Sequence, residues 1–157
     1  MPDHRETVAV VAGGTQGLGL AIAEHLFAEG CTRIVIAGRR VPEGEAAAEG
    51  LRRLGAEVLF VPADMGRVED AIALVDRAVE RFGRVTALVN AAATTERGSI
   101  LDTSPDDFDR HFAVNTRGPF CHGPMAFMRM RSPSSAPPLL RREGSMLMTA
   151  MRRASSW

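Results

Sequence analysis

The feature that most constrains this chain is a regular alternation of short apolar runs with longer segments of helical periodicity. The run "TVAVVA" (7–12) is rich in β-branched residues and is followed by glycines, a pattern typical of a buried strand. Further segments of the two kinds follow it in turn. We predict strands at 7–12, 33–38, 57–63 and 85–91, with helices at 18–29, 44–55 and 67–82 between them.

This alternation predicts the fold class. Strands joined by helices pair in parallel, and right-handed crossovers place the helices on both faces of the sheet. The sequence therefore predicts an α/β fold with a doubly wound parallel sheet. In helix 18–29 the apolar residues Leu18, Ile22 and Leu26 recur at four-residue spacing. In helix 67–82 one face carries Val68, Ile72, Val75 and Val79.

The last third of the chain has a different composition. A further helix has a clear start, with Ser104 as N-cap and Pro105 at the first helical position. After Phe120 the residue composition changes: five of the nine prolines lie between 119 and 138, and six of the eight methionines lie between 125 and 151. We predict a helix weakened or cut short near Pro124, a loop at 131–144 and a last strand at 145–150.

A glycine-rich turn, "AGGTQGLG" (12–19), joins the first strand to the first helix. Glycines there allow a tight turn and a close approach of a pyrophosphate to the backbone, and the helix N-terminus supplies free N–H donors. An ordinary strand-to-helix turn is the alternative. If a dinucleotide binds, the expected contacts in this turn are Gly13, Thr15, Gln16, Gly17, Leu18 and Gly19.

The end of the second strand distinguishes between dinucleotides. NAD-binding proteins usually have an acid there for the ribose 2′-hydroxyl, whereas NADP requires a cation for the 2′-phosphate. Here the strand ends in "AGRR", so Gly38 leaves the acidic position empty, and Arg39 and Arg40 can bind a phosphate. The alternative is a solvated arginine pair at a helix start. The sequence favours NADP over NAD.

Charge and cysteine content exclude several classes of protein. Nineteen arginines balance nineteen acids, and no lysine is present, so we expect neither a nucleic-acid nor a membrane partner. Arginine pairs at 141–142 and 152–153 could form a nucleic-acid tail, but no aromatic residues interleave them. Cys31 and Cys121 fit no metal spacing, and the N-terminus has no apolar leader, so we expect a cytoplasmic protein with reduced thiols.

Several motifs together resemble the N-terminal part of the short-chain dehydrogenase/reductase family. The turn has the family's G-x-x-x-G-x-G spacing, and "PADM" (62–65) resembles its adenine-contacting segment, which implies that Asp64 and Met65 contact adenine. "LVNAAA" (88–93) stands where the family has N-N-A-G, which places Asn90 and Ala91 at the cofactor. "FAVNTRGPF" (112–120) resembles the helix that carries the family's catalytic asparagine, here Asn115.

The resemblance implies a single NAD(P)-binding Rossmann domain over residues 1–157, clearly matched at 7–120 and divergent at 121–157, with the C-terminal side of the sheet incomplete. It implies hydride transfer between a nicotinamide and a small carbonyl or alcohol. Some positions depart from the family pattern. Ala12, Ala91 and Ala93 replace a threonine, an asparagine and a glycine, so we expect weakened cofactor binding. Gln16 stands where many NADP-preferring members of the family carry a basic residue, which counts against NADP relative to NAD. A structural role for Asn90 and Asn115 remains the alternative.

The catalytic residues of the family are missing from this sequence. A serine and a Y-x-x-x-K pair move the proton there, but this chain has no tyrosine and no lysine, and Met151 occupies the serine position. We therefore expect a truncated or frame-shifted chain that binds dinucleotide and is inactive as written, with a substrate only in a complete form. A non-catalytic nucleotide-binding or interaction module is the alternative. A homo-oligomer is compatible with both.

Overall fold

The computed structural model describes residues 4–95, 98–99 and 101–131. The strands are β1 (Val8–Ala12), β2 (Arg33–Gly38), β3 (Glu57–Pro62) and β4 (Ala87–Asn90). The helices are α1 (Gly17–Ala28), α2 (Val41–Arg53), α3 (Val68–Phe82), α4 (Pro105–Phe112) and α5 (Gly118–Arg131), with a π-helical turn, Ala113–Arg117, between the last two. The predicted loop at 131–144 and strand at 145–150 lie outside the described residues, except for Arg131.

The four strands form one parallel sheet in the order β3-β2-β1-β4. The four strands predicted within the described residues are present, and the α/β doubly wound architecture is confirmed. Because β2 and β3 extend the sheet on one side of β1 and β4 lies on the other, the strand order reverses between β1 and β4. In such sheets a crevice opens at the carboxyl ends of the strands at this reversal, and ligands bind there.

The core consists of two apolar layers, one on each face of the sheet. Val10 and Val35 face α3 and α5, whereas the neighbouring Val11 and Ile34 face α1 and α2, because successive strand residues point to opposite faces. All five residues of β1 are fully buried. The sheet is thus covered on both faces, as a parallel sheet requires.

The helix predicted after the first strand is present as α1, but the first residue of its apolar spacing does not lie on the buried side. Leu18 is 74% exposed, and the buried residues of this helix are Gly19 and Ala23. The start of α1 packs against the glycine-rich loop, where only small residues such as Gly19 fit. The buried side of the helix is therefore the side of Gly19, and Leu18 points to another side. In α3, Val75 of the predicted apolar face is buried, and Leu74 is buried beside it.

The start of α2 was predicted three residues late. The helix begins at Val41, with Arg40 as N-cap and Pro42 in the first turn, where proline's missing N–H costs nothing. Gly44, the predicted first residue, is buried inside the helix, and a Cβ there would collide with the ring of Phe60. Gly44 therefore allows α2 to pack closely against the sheet and does not mark the start of the helix.

Of the two predicted alternatives, a helix weakened or cut short near Pro124, the second is wrong. The helix α5 continues through this proline to Arg131. Proline cannot donate a hydrogen bond to the carbonyl four residues earlier, here that of Phe120. Both residues lie on the exposed side of α5, where water can satisfy that carbonyl. The strong start predicted at Ser104 is present, because Ser104 and Asp107 form a reciprocal capping box.

Candidate functional site

A cleft of about 280 Å³ opens at the carboxyl ends of the strands, beside the reversal of strand order. It brings together eleven of the twelve predicted cofactor residues, all except Asn90. Sequence reasoning had not assigned six further lining residues, although most of them adjoin the motifs. The predicted residues that line it are Gly13, Thr15, Gln16, Gly17, Leu18, Gly19, Arg39, Arg40, Asp64, Met65 and Ala91, and the others are Gly38, Ala63, Ala92, Ala93, Thr94 and Val114.

The glycine-rich turn forms one wall of this cleft. Gly13 has a φ of +80°, and a Cβ there would lie 2.5 Å from the backbone nitrogen of Ala92. At Gly19 a Cβ would collide with the carbonyl oxygen of Gly13. Gly17 has a φ of +53° and no atom within 4 Å of its Cβ position, so the backbone is accessible there. No side chain caps α1, which leaves its first-turn N–H groups available to an anion.

Backbone hydrogen bonds hold the turn against the sheet. The N–H groups of Gly13 and Gly14 both donate to the carbonyl of Ala37, at 2.8 and 3.1 Å. The N–H of Ala91 donates to the carbonyl of Ala12 at 2.9 Å and so joins the end of β4 to the start of the turn. The alanine at position 12, which cannot supply a hydroxyl, therefore still has a backbone bond to this part of β4.

At the end of β2, Gly38 is followed by two arginines, and no acidic residue occupies this end of the strand. A Cβ at Gly38 would lie 2.7 Å from both Cγ2 and Oγ1 of Thr15, so a larger side chain would displace that threonine. Arg40 pairs with Glu43 at 2.8 Å and donates to the side-chain oxygen of Gln16. Within the described part of the chain, no hydrogen bond or ion pair engages the side chain of Arg39. The two arginines therefore differ: one is held by the protein, and the other can reach a ligand.

The loop after β3 forms the opposite wall. The backbone N–H of Asp64 donates to a carboxylate oxygen of Asp70, and one carboxylate oxygen of Asp64 accepts from the N–H of Gly66, both at 2.9 Å. Behind the loop, Arg117 donates to the carbonyl of Gly66 at 3.1 Å. Gly118 lies so close that a Cβ would collide with the carbonyl of Met65. The π-helical turn and the start of α5 thereby support this wall.

The two predicted asparagines lie beside the cleft and do not line it. The side-chain oxygen of Asn115 accepts from the N–H of Thr94 at 2.9 Å, and its side-chain nitrogen donates to the carbonyl of the same residue at 3.0 Å. Asn90 contacts His122 of α5, whose imidazole is fully buried. Burial lowers the pKa of His122, with the Gly118 carbonyl acting in the opposite direction. The prediction did not include His122, since no motif contains it.

The described residues contain few other groups that could be reactive or bind a metal ion. Cys31 and Cys121 are both buried and form no disulfide, and burial raises the pKa of each thiol. In residues 4–95, 98–99 and 101–131, no group of three or more histidine, cysteine or acidic side chains could hold a metal ion. None of the helices described is both long and apolar enough to cross a bilayer.

Comparisons with known proteins agree with this geometry. The sequence model of the short chain dehydrogenase family matches residues 7–136. Versicolorin reductase 1 of Dothistroma septosporum is 35% identical over 72% of this chain and 43% of that protein. Tetrahydroxynaphthalene reductase of Pyricularia oryzae is 32% identical over 72% of this chain and 40% of that protein. The chain thus spans less than half the length of these two relatives.

Solved structures show the same likeness. A short chain dehydrogenase from Burkholderia cenocepacia J2315, determined in complex with NADP, superposes with a TM-score of 0.78 at 27% identity. That alignment covers 98% of this chain and 65% of the other. A 3-oxoacyl-[acyl-carrier protein] reductase from Brucella melitensis superposes with a TM-score of 0.72 at 34% identity, over 83% of this chain and 52% of that one.

Proposed function

The chain belongs to the short-chain dehydrogenase family, and we propose that it binds NADP, in preference to NAD, as the cofactor-binding part of an oxidoreductase acting on a small carbonyl or alcohol. The observation that carries the preference is at the end of β2. Arg39 has no protein partner in the described residues there, and Gly38 leaves no acid to repel a phosphate. A guanidinium binds a phosphate through two hydrogen bonds, so Arg39 fits the 2′-phosphate.

The rest of the cleft suits the remainder of a dinucleotide. The uncapped first turn of α1 and the accessible backbone at Gly17 would hold the pyrophosphate. Asp64 and Met65 would bind the adenine end, since the loop that carries them forms the wall opposite the glycine-rich turn. When bound, the reduced nicotinamide supplies the hydride. Ala91 to Thr94 would enclose the cofactor on the β4 side.

The test of this assignment is the ratio of two dissociation constants. We expect Arg39→Gln to weaken NADPH binding by about 10- to 100-fold, the loss of a charge-assisted hydrogen bond worth about 1.5–3 kcal/mol, and to leave NADH binding unchanged. Arg53→Gln is the matched control, because Arg53 is 77% exposed at the far end of α2 and pairs with Glu49. Equal weakening of both cofactors, or none, would refute the role of Arg39.

We further propose that the 157-residue polypeptide binds this cofactor without turning over a substrate. Hydride transfer to a carbonyl requires a proton for the oxygen, and this sequence contains neither tyrosine nor lysine to provide a phenol beside a permanent cation. In this proposal Asn115 holds the Thr94 backbone at the cleft, and no group of the described chain donates the proton. Purified polypeptide should show no consumption of NADPH with a panel of ketones and aldehydes. Turnover that is lost in Asn115→Ala would overturn the proposal.

A non-catalytic nucleotide-binding or interaction module is a second candidate function. It is favoured by the same absence of tyrosine and lysine, together with the exposure of Phe108 (58%), Phe112 (54%) and Phe120 (73%) on α4 and α5. Sequencing the encoding DNA beyond codon 157 in all three frames separates the candidates. A frame that supplies a serine and then Y-x-x-x-K supports the oxidoreductase. If no frame does so, the binding module is favoured.

A further inference from the structure

A buried histidine lies between α5 and the end of β4. His122 is fully buried, one of two buried polar or charged side chains in the described residues. Its Nδ1 lies 2.8 Å from the carbonyl oxygen of Gly118, one turn earlier in α5. Its Nε2 lies against the side-chain oxygen Oδ1 of Asn90, the last residue of β4. Both ring nitrogens therefore have a partner, which is the usual condition for burying a polar group.

The chemistry of these partners fixes where the protons lie. A carbonyl oxygen only accepts, so Nδ1 of His122 must carry a proton to bond to Gly118. In a neutral imidazole Nε2 then has a lone pair and needs a donor. Oδ1 of Asn90 cannot donate, so the carboxamide provides that donor once it is turned by 180°, which brings its NH₂ group to the ring and leaves its shape nearly unchanged. The carbonyl oxygen of Asn90 then faces away from His122.

We propose that His122 is a positioning residue for the dinucleotide cleft: its neutral imidazole, protonated at Nδ1, accepts a hydrogen bond from Asn90 and so fixes the carboxyl end of β4. This proposal deepens the function proposed above and rests on it for its effect on cofactor binding. The geometry of the histidine and asparagine pair stands independently of any cofactor.

The path from His122 to the cleft is short. Asn90 pairs with Ala12 in the sheet register, and the next residue, Ala91, donates its N–H to the Ala12 carbonyl. Ala91 and Ala92 line the cleft, and a Cβ at Gly13 would collide with the backbone of both. In the described part of the sheet, β4 pairs on one side only, with β1. A polar bond from the helix layer therefore restrains a strand end that has few other restraints.

The surroundings favour a neutral imidazole. Apolar residues of α3 and α5, among them Leu74, Val75 and Met125, form the core layer on this side of the sheet. The charged groups on the packed elements that reach this region, Glu69 of α3 and Arg117 of the π-helical turn, act on the neighbouring thiol of Cys121. Burial accordingly holds the pKa of His122 below its ordinary value of 6.5.

The first test reads the imidazole directly by ¹⁵N NMR of the full chain labelled at histidine. At pH 7.5 we expect the His122 signals of a neutral ring protonated at Nδ1. Asn90→Asp replaces the donor by a carboxylate, which only accepts, so we expect the ring to become protonated at both nitrogens. In Asn90→Ala the neutral form should persist. A wild-type ring protonated at Nε2, alone or together with Nδ1, or no response to Asn90→Asp, would overturn the proposal.

The second test measures NADPH binding. Loss of the bond in His122→Leu should raise the NADPH dissociation constant about fivefold, which corresponds to about 1 kcal/mol. His122→Gln retains a polar group and should recover most of this loss. The control is Met125→Leu, a neighbouring buried position without a polar role. Wild-type affinity in a folded His122→Leu variant would overturn the positioning role. If the wild type binds no NADPH, the proposed function fails, and the NMR arm alone decides this inference.

Discussion

A double-mutant cycle at Gly38 and Thr15 tests why the end of β2 lacks an acid. A Cβ at position 38 would lie 2.7 Å from Cγ2 and Oγ1 of Thr15 and 3.3 Å from its Cβ. Nonbonded carbon atoms prefer a separation of about 3.5–4.0 Å, so Gly38→Ala requires the threonine side chain to rotate or shift. An off-rotamer side chain costs about 0.5–1.5 kcal/mol, and overpacking costs about 1–3 kcal/mol.

The size of this destabilisation depends on how far the Thr15 side chain can move. Thr15 is only partly buried, so its side chain can relieve part of the overlap, and we expect Gly38→Ala to destabilise the protein by about 1–2 kcal/mol. Gly38 has no positive φ, so alanine there is not strained by the backbone. In a Thr15→Ala background, which removes the two closest atoms, the same change should be neutral or stabilise by up to about 1 kcal/mol, through the lower entropy of the unfolded chain.

Urea unfolding of the four proteins gives the coupling free energy between the two positions. We expect a coupling of about 1–2 kcal/mol, because the cost of Gly38→Ala arises from contact with Thr15. An additive result, in which Gly38→Ala costs the same in both backgrounds, would refute the steric explanation. In that case contact with Thr15 would not explain the absence of a side chain at position 38, and the preference for NADP would rest on Arg39 alone.

Three further predictions concern stability. Ser104→Ala should cost about 1 kcal/mol by urea unfolding, since it removes the helix cap. Hydrogen bonds from Ser104 lower the pKa of Asp107 below 3.8, so their contribution to folding stability is present above that pH and is lost as the pH falls. In Ser104→Ala, acid titration should show a smaller loss of stability over this range. Leu74→Ala should cost about 2–5 kcal/mol because Leu74 is fully buried, whereas Leu101→Ala, at a residue 90% exposed, should change stability by less than about 0.5 kcal/mol. The pKa of His122 is lowered in the folded protein, so below pH 6.5 the unfolded state binds a proton there more readily than the folded state does. The melting temperature of the wild type should therefore decrease as the pH is lowered, and this decrease should be smaller in His122→Gln.

Local signals in the sequence located the elements well where they depend on adjacent residues. The strand 33–38 was predicted with its observed bounds, and the cap at Ser104 was recognised from its own residue type and from Pro105. Less successful were predictions that depend on orientation. The spacing of Leu18, Ile22 and Leu26 is helical, but the side of α1 that packs on the sheet is set by how closely Gly19 approaches Gly13.

The candidate site shows the same division. Motif spacing predicted that Gly13, Arg39 and Asp64 belong to one site. All three line the cleft, because these positions follow strands whose carboxyl ends meet at one edge of the sheet. Spacing could not distinguish Arg39 from Arg40, since their difference depends on Glu43 and Gln16.

The sequence by itself determined the parallel α/β architecture, the glycine-rich turn and the absence of tyrosine and lysine, because periodicity, turn chemistry and composition are properties of the chain. Tertiary structure alone decided that α5 continues through Pro124, that a side chain at Gly38 would meet Thr15, and that His122 contacts Asn90. The physical reason is that these outcomes depend on solvent access and on contacts between residues distant in sequence. His122 and Asn90 are 32 residues apart, and only the packing of α5 on β4 makes them neighbours.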